Sequence, residues 1–332
     1  MLRFRKAAGD TARERNVYAF DMPDEEPRFA VKRWLAIFAV AVVILGVVGH
    51  VTYVRDNTFA AARSQGLIAA NLLAQNSARL FDLAEYLAID TVGRVSGRSL
   101  EDISADRALW QTLSATVSRF PYVSAVTLVD TEGNVRLTTL DFPPPPLNVL
   151  DRDYVTGHLN RPAGAREESL VSRPIFGPLA KRPVFFVSRP WHGPDGTLLG
   201  VVAVSLRSDY FQSFLETFRL PYNPTLQLVR QRDGAVIVRE PGGEVVDIQH
   251  VPEPILTTVT SGRLTQPLET AEALITVQRL PQWPVHAVVS FDREMVEQAW
   301  KSAAVDFVVI GAVAIAALIA LAALVPGRRP FR

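Results

Sequence analysis

Hydrophobic positions follow three rhythms along this chain. From Trp34 to Val54 (WLAIFAVAVVILGVVGHVTYV) and from Phe307 to Val325 (FVVIGAVAIAALIALAALV) they are nearly continuous. Each run is roughly 20 residues, the length a helix needs to cross the hydrocarbon core of a bilayer. After the first run, Leu67, Ala70, Leu73, Ala74, Ser77, Leu80, Phe81, Ala84 and Leu87 recur at helical spacing through a proline-free segment. That pattern predicts one long amphipathic helix. Its stripe either packs on its own domain or pairs in part with the same helix of a second chain, with Asn71 and Gln75, four apart, in the seam.

From Tyr122 onward the period drops to two. YVSAVTLVD, a turn at TEGN and VRLTTL predict a hairpin. Between the long helix and this hairpin, short helices are expected with Ser99 or Ser104 as N-caps. The run Pro143 to Pro146 forces an extended loop, and Asp151 can cap a helix starting at Arg152. SLVSRPIF, RPVFFVSRPW and TLLGVVAVSL predict three strands, and SDYFQSFLETF a helix capped by Ser208. TLQLVRQ and AVIVREP then predict a second hairpin and EPILTTVTS a helix. GRLTQPL, ALITVQRL and WPVHAVVSF predict three more strands, before a last helix capped by Asp292 that runs into the second apolar run. The order helix, hairpin, helical excursion, three strands thus occurs twice, which implies two stacked domains of one fold.

Composition narrows the function. The formal charge of +1 over 332 residues argues against a large basic face for nucleic acid. With no cysteine there are no disulfides, thiolate metal sites or cysteine nucleophiles. The five histidines are too far apart for a zinc helix motif, and G-x-S-x-G, H-E-x-x-H and the phosphate-binding loop are all absent. Glu167 and Glu168 beside Arg166 read as a solvated turn. No enzymatic activity, cofactor or metal is expected. The first apolar run is too long for a signal-peptide core and no A-x-A site follows it, so it reads as a retained anchor; His50 near its outer end can reach the interface. Arg28, Lys32 and Arg33 before the first run, and Arg328, Arg329 and Arg332 after the second, place both ends in the cytoplasm by the positive-inside rule. The mixed-charge tail before the first run is expected to be disordered.

Three stretches carry a family resemblance: D-R-D-Y at Asp151–Tyr154, SLVSRPIFG, and FFVSRPWHGPDGTLLGVVAVSLRSDYFQSF. Together they resemble the membrane-distal half of a double Cache sensor, a PAS-like extracytoplasmic ligand-binding module. LVRQRDGAVIVREP and QRLPQWPVHAVVSFDREMVEQAW resemble its membrane-proximal half. The similarity covers roughly Arg55 to Val305 plus both apolar runs. It implies an α+β fold, with two transmembrane helices flanking a periplasmic domain made of a long helix and two α/β subdomains. The expected boundaries are a tail at 1–33, a span at 34–54, the long helix at 55–98, a distal subdomain at 99–218, a proximal one at 219–304, a second span at 305–325 and a short tail at 326–332. In the family such modules are the input ends of bacterial histidine kinases, diguanylate cyclases and chemoreceptors, held in the inner membrane. The implied partners are a small ligand, the lipid bilayer, a second copy of the chain and a signalling protein. Either the module continues into a signalling domain, or it stands alone and works through a separate partner. A two-span scaffold, similar to polysaccharide chain-length regulators, is the competing class; it would need long exported helices in place of the β pattern.

The resemblance also points to a site. Family members that bind amino acids carry Arg-x-Trp-Tyr and an Asp on a later strand. Here the matching residues are Arg152-Asp153-Tyr154-Val155 and Ser205, which implies a small organic anion without an essential α-amine. Arg152 can grip a carboxylate with two parallel hydrogen bonds, and Tyr154 can add a hydroxyl and an aromatic wall. Alternatively, Arg152 pairs with Asp151 or Asp153 and Tyr154 fills the core. Strand alternation puts Val184, Phe186 and Ser188 on one face, and Val201, Ala203 and Ser205 on one face of the next strand. Phe186, Ser188 and Ser205 therefore join Arg152 and Tyr154 as candidate ligand contacts, and Arg173 as a further charge.

Overall fold

The computed structural model describes residues 26–161, 169–242, 249–261 and 267–324. The tail before residue 26, the Arg166–Glu168 loop and the C-terminal arginines lie outside them. The first element, α1 (Glu26–Val95), is a single 70-residue helix that begins inside the stretch assigned to the tail. The last, α7 (Arg293–Leu324), is the other long helix. Both contain apolar windows long enough to span a membrane.

The chain divides into two units. One holds the apolar runs, up to Tyr53 and from Ala304. There the His50 ring stacks on Phe307 with centroids 3.8 Å apart, and large side chains such as Trp34 and Ile310 stand exposed.

The other unit, Val54–Ala303, is an α+β body. Short helices α2 (Leu100–Ala105) and α3 (Arg107–Val117) follow α1. Ser99 caps α2, accepting the Asp102 N–H at 3.1 Å. Asp106, not Ser104, caps α3, because a carboxylate is free to take the Leu109 N–H while Ser104 Oγ bonds back to Leu100 O. The first sheet contains β1 (Val123–Asp130), β2 (Val135–Thr138), β3 (Leu170–Val171), β4 (Ile175–Gly177), β5 (Arg182–His192) and β6 (Leu198–Arg207). Its order is β2-β1-β6-β5-β3, with β4 also on β5. The stretch read as one strand, SLVSRPIF, is thus two short ones. Ser172 interrupts it: its N–H bonds Phe186 O while its Oγ accepts the Phe186 N–H, and Pro174 has no N–H to continue the ladder.

Two helices, α4 (Asp153–Leu159) and α5 (Ser208–Glu216), accompany this sheet. The second sheet contains β7 (Thr225–Arg230), β8 (Val236–Glu240), β9 (Leu268–Glu269), β10 (Ala273–Arg279) and β11 (Val285–Asp292), with α6 (Glu253–Ser261) beside it. Its order, β8-β7-β11-β10-β9, repeats the first sheet's. Asp292 Oδ1 accepts the Glu294 N–H at 2.8 Å at the start of α7. Two expected caps are absent. Neither Asp151 nor Ser208 caps a helix: Arg152 and Arg207 hold the cap positions of α4 and α5 without side-chain bonds.

The stripe of α1 packs on its own domain. Ala70, Leu73, Ala74, Phe81, Ala84 and Leu87 are buried in a core shared with both sheets. Phe81 meets Phe185 of the first sheet at 5.7 Å and Trp283 beside the second at 5.4 Å. Trp283 Nε1 donates to Asp82 at 2.7 Å. Leu67, read as part of the stripe, is instead exposed with Ile68 and Leu72 on the opposite face, where Gln75 donates to Asn71 at 3.1 Å.

Candidate functional site

A small cavity of about 40 Å³, open to solvent at its mouth, lies on the first sheet under α4 and its approach. The sheet supplies Ala125, Thr127, Val184, Phe186 and Ser205, the loop Leu147 and Val149, and the start of α4 Arg152 and Tyr154. The loop is held beside the hairpin by Val135 N–H to Leu147 O at 3.0 Å and Val149 N–H to Gly133 O at 2.8 Å. Gly133 has φ +87°, and a Cβ there would strike the Leu150 backbone, so the turn requires glycine.

The Tyr154 ring is stacked on Phe186, centroids 4.2 Å apart and planes 23° from parallel. Burial pushes its phenol well above the ordinary value, so it stays a neutral donor. Arg152 Nε is shielded from solvent and makes no hydrogen bond. It is instead ion-paired with Asp151, Nε to Oδ1 at 3.4 Å, the Asp151 side chain standing mostly in solvent, so the pairing offered as the alternative role of Arg152 is present. Ser205 Oγ donates to Ala125 O at 3.2 Å, which leaves its oxygen able to accept. Among the described residues, no Asp or Glu lines the cavity.

Four sequence-predicted residues, Arg152, Tyr154, Phe186 and Ser205, therefore share one cavity, and two are placed elsewhere. Ser188 is sealed beneath α4, its Oγ 3.0 Å from His158 Nε2 and within reach of Tyr154 O at 3.3 Å. Burial, with repulsion from Arg161, pushes His158 down to about 4, so the ring is neutral. Arg173 turns away to the second sheet's hairpin, where Nε and Nη2 both bond Asp233 Oδ2, at 3.0 and 2.9 Å.

The structure adds a feature that no local motif signals. Asp153, between the two cavity residues Arg152 and Tyr154, accepts from Arg230 Nη1 and from the Arg173 N–H at 3.0 Å. Arg230, 6% exposed at the end of β7, also grips Asp233 and donates to Val171 O at 3.0 Å. Burial opposes ionisation of Asp233, but the Arg230 and Arg173 guanidiniums outweigh it and hold the carboxyl below its usual range. The start of α4 is thus tied to the second sheet by a four-residue ionic clasp. Among the described residues, no group of three or more His, Asp or Glu is placed to hold a metal.

No family model and no curated protein matches this sequence. Solved structures do share its fold. The chain is similar to the extracellular domain of the putative histidine kinase rpHK1S-Z16, at 21% identity and TM-score 0.62, covering 73% of this chain and 99% of that one. An extracellular ligand-binding receptor from Desulfohalobium retbaense matches at 15% identity and TM-score 0.51, covering 68% of this chain and 40% of that one. The ligand-binding domain of the Campylobacter jejuni chemoreceptor Tlp3, in complex with L-norvaline, matches at 12% identity and TM-score 0.50, covering 72% and 94%. The fold is thus shared with extracellular and ligand-binding domains of receptors.

Proposed function

We propose that this chain is the signal-input part of a membrane receptor. It is anchored by helices through Trp34–Val54 and Phe307–Leu324, with both ends cytoplasmic and the Val54–Ala303 body outside. The body binds a small organic anion in the first-sheet cavity. The observation that carries this reading is Arg152, a guanidinium at the cavity wall whose ion pair with the solvent-facing Asp151 involves Nε. A guanidinium has five N–H donors in a fork, so a pair at Nε leaves others for an incoming carboxylate. Tyr154 closes one side, and Ser205 stands where a carboxylate would hold an amine.

Signal transfer follows from the same helix. A ligand on Arg152 that binds one position of α4 better than another shifts the population of that position, and the Asp153 clasp carries the shift to the second sheet. A second copy pairs on the exposed face of α1, along Ile68, Leu72, Tyr86 and Ile89. A separate signalling protein or a further domain reads the result.

An α-amino acid ligand is the second reading, favoured by the norvaline-bound neighbour. Among the described residues no carboxylate lines the cavity to partner its ammonium. Thermal shift of the chain in detergent with small organic acids and with amino acids tests the pair, because a ligand specific to the folded state raises the melting temperature. Organic acids are expected to stabilise it, and Arg152→Ala to weaken their binding by roughly one to two decades while leaving the fold intact. Stabilisation by amino acids that depends on Arg152, with none from organic acids, would overturn the ligand class.

A further inference from the structure

The second sheet repeats the first in strand order and in register. Ser205 stands opposite both Ala125 and Phe186; Ser290 stands opposite both Thr225 and Ile275. The second sheet's counterpart of the first cavity is an open groove of about 1050 Å³, counting its mouth, between these strands and the start of α6. Its polar groups differ from those above. Gln227 on β7 is 8% exposed, yet its amide faces the groove without a hydrogen-bond partner among the described residues. Arg239 lies directly across from it on β8. Thr225 and Ser290 add two hydroxyls and Glu272 a rim carboxylate, and none of these side chains has a partner among the described residues. A primary amide with four hydrogen-bonding sites and no protein partner is free to bond a molecule in the groove.

We infer that this groove is a second ligand site, for a small zwitterion: a free α-amino acid with a polar side chain. Arg239 takes the carboxylate with paired hydrogen bonds, and Glu272 takes the ammonium. Gln227 reads the polar side chain, with Thr225 and Ser290 alongside and Ile255 and Ile275 beneath. Among the described residues the first cavity has a guanidinium and no carboxylate; this groove has both, and that difference selects a zwitterion over a simple anion. The inference stands apart from the role given to Arg152.

Titration calorimetry of the full chain in detergent with L-glutamine, L-asparagine and L-serine tests it. At least one is expected to bind, with affinity reduced about tenfold or more by Arg239→Ala and by Gln227→Leu and unchanged by Arg152→Ala. Arg239 is exposed, so its removal leaves the fold intact even where Gln227→Leu disturbs the sheet. Three results overturn the inference: no binding of any of the three at millimolar concentration, binding that survives Arg239→Ala, or binding abolished by Arg152→Ala. Malate, which has carboxylates but no ammonium, is expected to leave this groove empty; if it binds there through Arg239, the zwitterion class is wrong.

Discussion

In the first half of the body, α4 lies over the sheet with Tyr154 stacked on Phe186, and the space beneath is a cavity with an apolar lining and one guanidinium. In the second half, on the same strand order, α6 brings Pro252, Pro254 and Ile255 to the edge of a wider groove lined by amide, hydroxyl and charged groups. Strand order fixes where a pocket can form, on the sheet face beside its crossing helix. What closes the pocket is set by single side chains on that helix. An aromatic pair narrows the first; proline and isoleucine leave the second open. The contrast extends to anchorage, since α4 is tied at its start by Asp153 and Arg230, whereas no ionic tie holds α6 among the described residues.

Each half also buries one histidine, and acid should strain both. His158 sits against Ser188, with Arg161, His192 and Arg189 around it. His286 on β11 is 2% exposed, and burial with Arg279 nearby pushes it down to about 4 as well. An unfolded chain titrates its histidines near 6.5. Between those values the unfolded state binds the extra protons, so stability is full above about pH 6.5 and falls as pH drops toward 4. The loss reaches up to about 3 kcal/mol per histidine. Denaturant midpoints measured across that window are expected to fall, with His158→Gln and His286→Gln each removing part of the slope. A flat profile would show that neither imidazole is held neutral by the fold.

The clasp is the next largest effect. Arg230→Ala leaves Asp153 and Asp233 without their shared cation, and removing one partner of a buried pair typically costs about 3 kcal/mol or more. Both carboxylates keep some solvent contact, which sets the expected cost at the low end. Arg232→Ala, two residues away on the same turn but exposed, should stay within about 0.5 kcal/mol. Similar midpoints for the two variants would mean that the halves are held by the α1 core alone.

The reach of the sequence stops where the clasp begins. Most of the buried stripe of α1, both hairpins and the alternation of β5 and β6 follow from local period: Val184 and Phe186 face the cavity while Phe185 and Val187 enter the α1 core. Asp151 looked like the cap of α4 because capping is a local rule. It stays in solvent, and the role of the neighbouring Asp153 is decided by Arg230, 77 residues further on. Arg173 looked like a pocket charge for want of any sign that Asp233 would face it. Ser188 and Ser205 had equal standing as inward serines on adjacent strands. Alternation gives the face of a residue but not how far along the strand the covering helix extends, and α4 covers Ser188 while leaving Ser205 open. Gln227, the amide of the second groove, carried no signal beyond being a polar residue in a strand.

The smallest expected effect compares two serines at one register position. Ser205 is 3% exposed and its hydroxyl donates to Ala125 O at 3.2 Å. Ser290, its counterpart on β11, is only half-buried, and its hydroxyl makes no hydrogen bond among the described residues. Removing a hydroxyl that satisfies a buried carbonyl costs about 1 kcal/mol; removing one that bonds only solvent should stay within about 0.5 kcal/mol. Ser205→Ala should therefore lower the unfolding free energy by about twice as much as Ser290→Ala or more. Ligand should reverse the ranking in the second half alone: with a bound amino acid, Ser290 gains a partner and its replacement shows as weaker binding. Chemical denaturation of both variants, with and without L-glutamine, makes the comparison. Equal costs in the absence of ligand would mean that the Ser205 hydroxyl gains nothing from Ala125, and that the two pockets differ less in polarity than their linings imply.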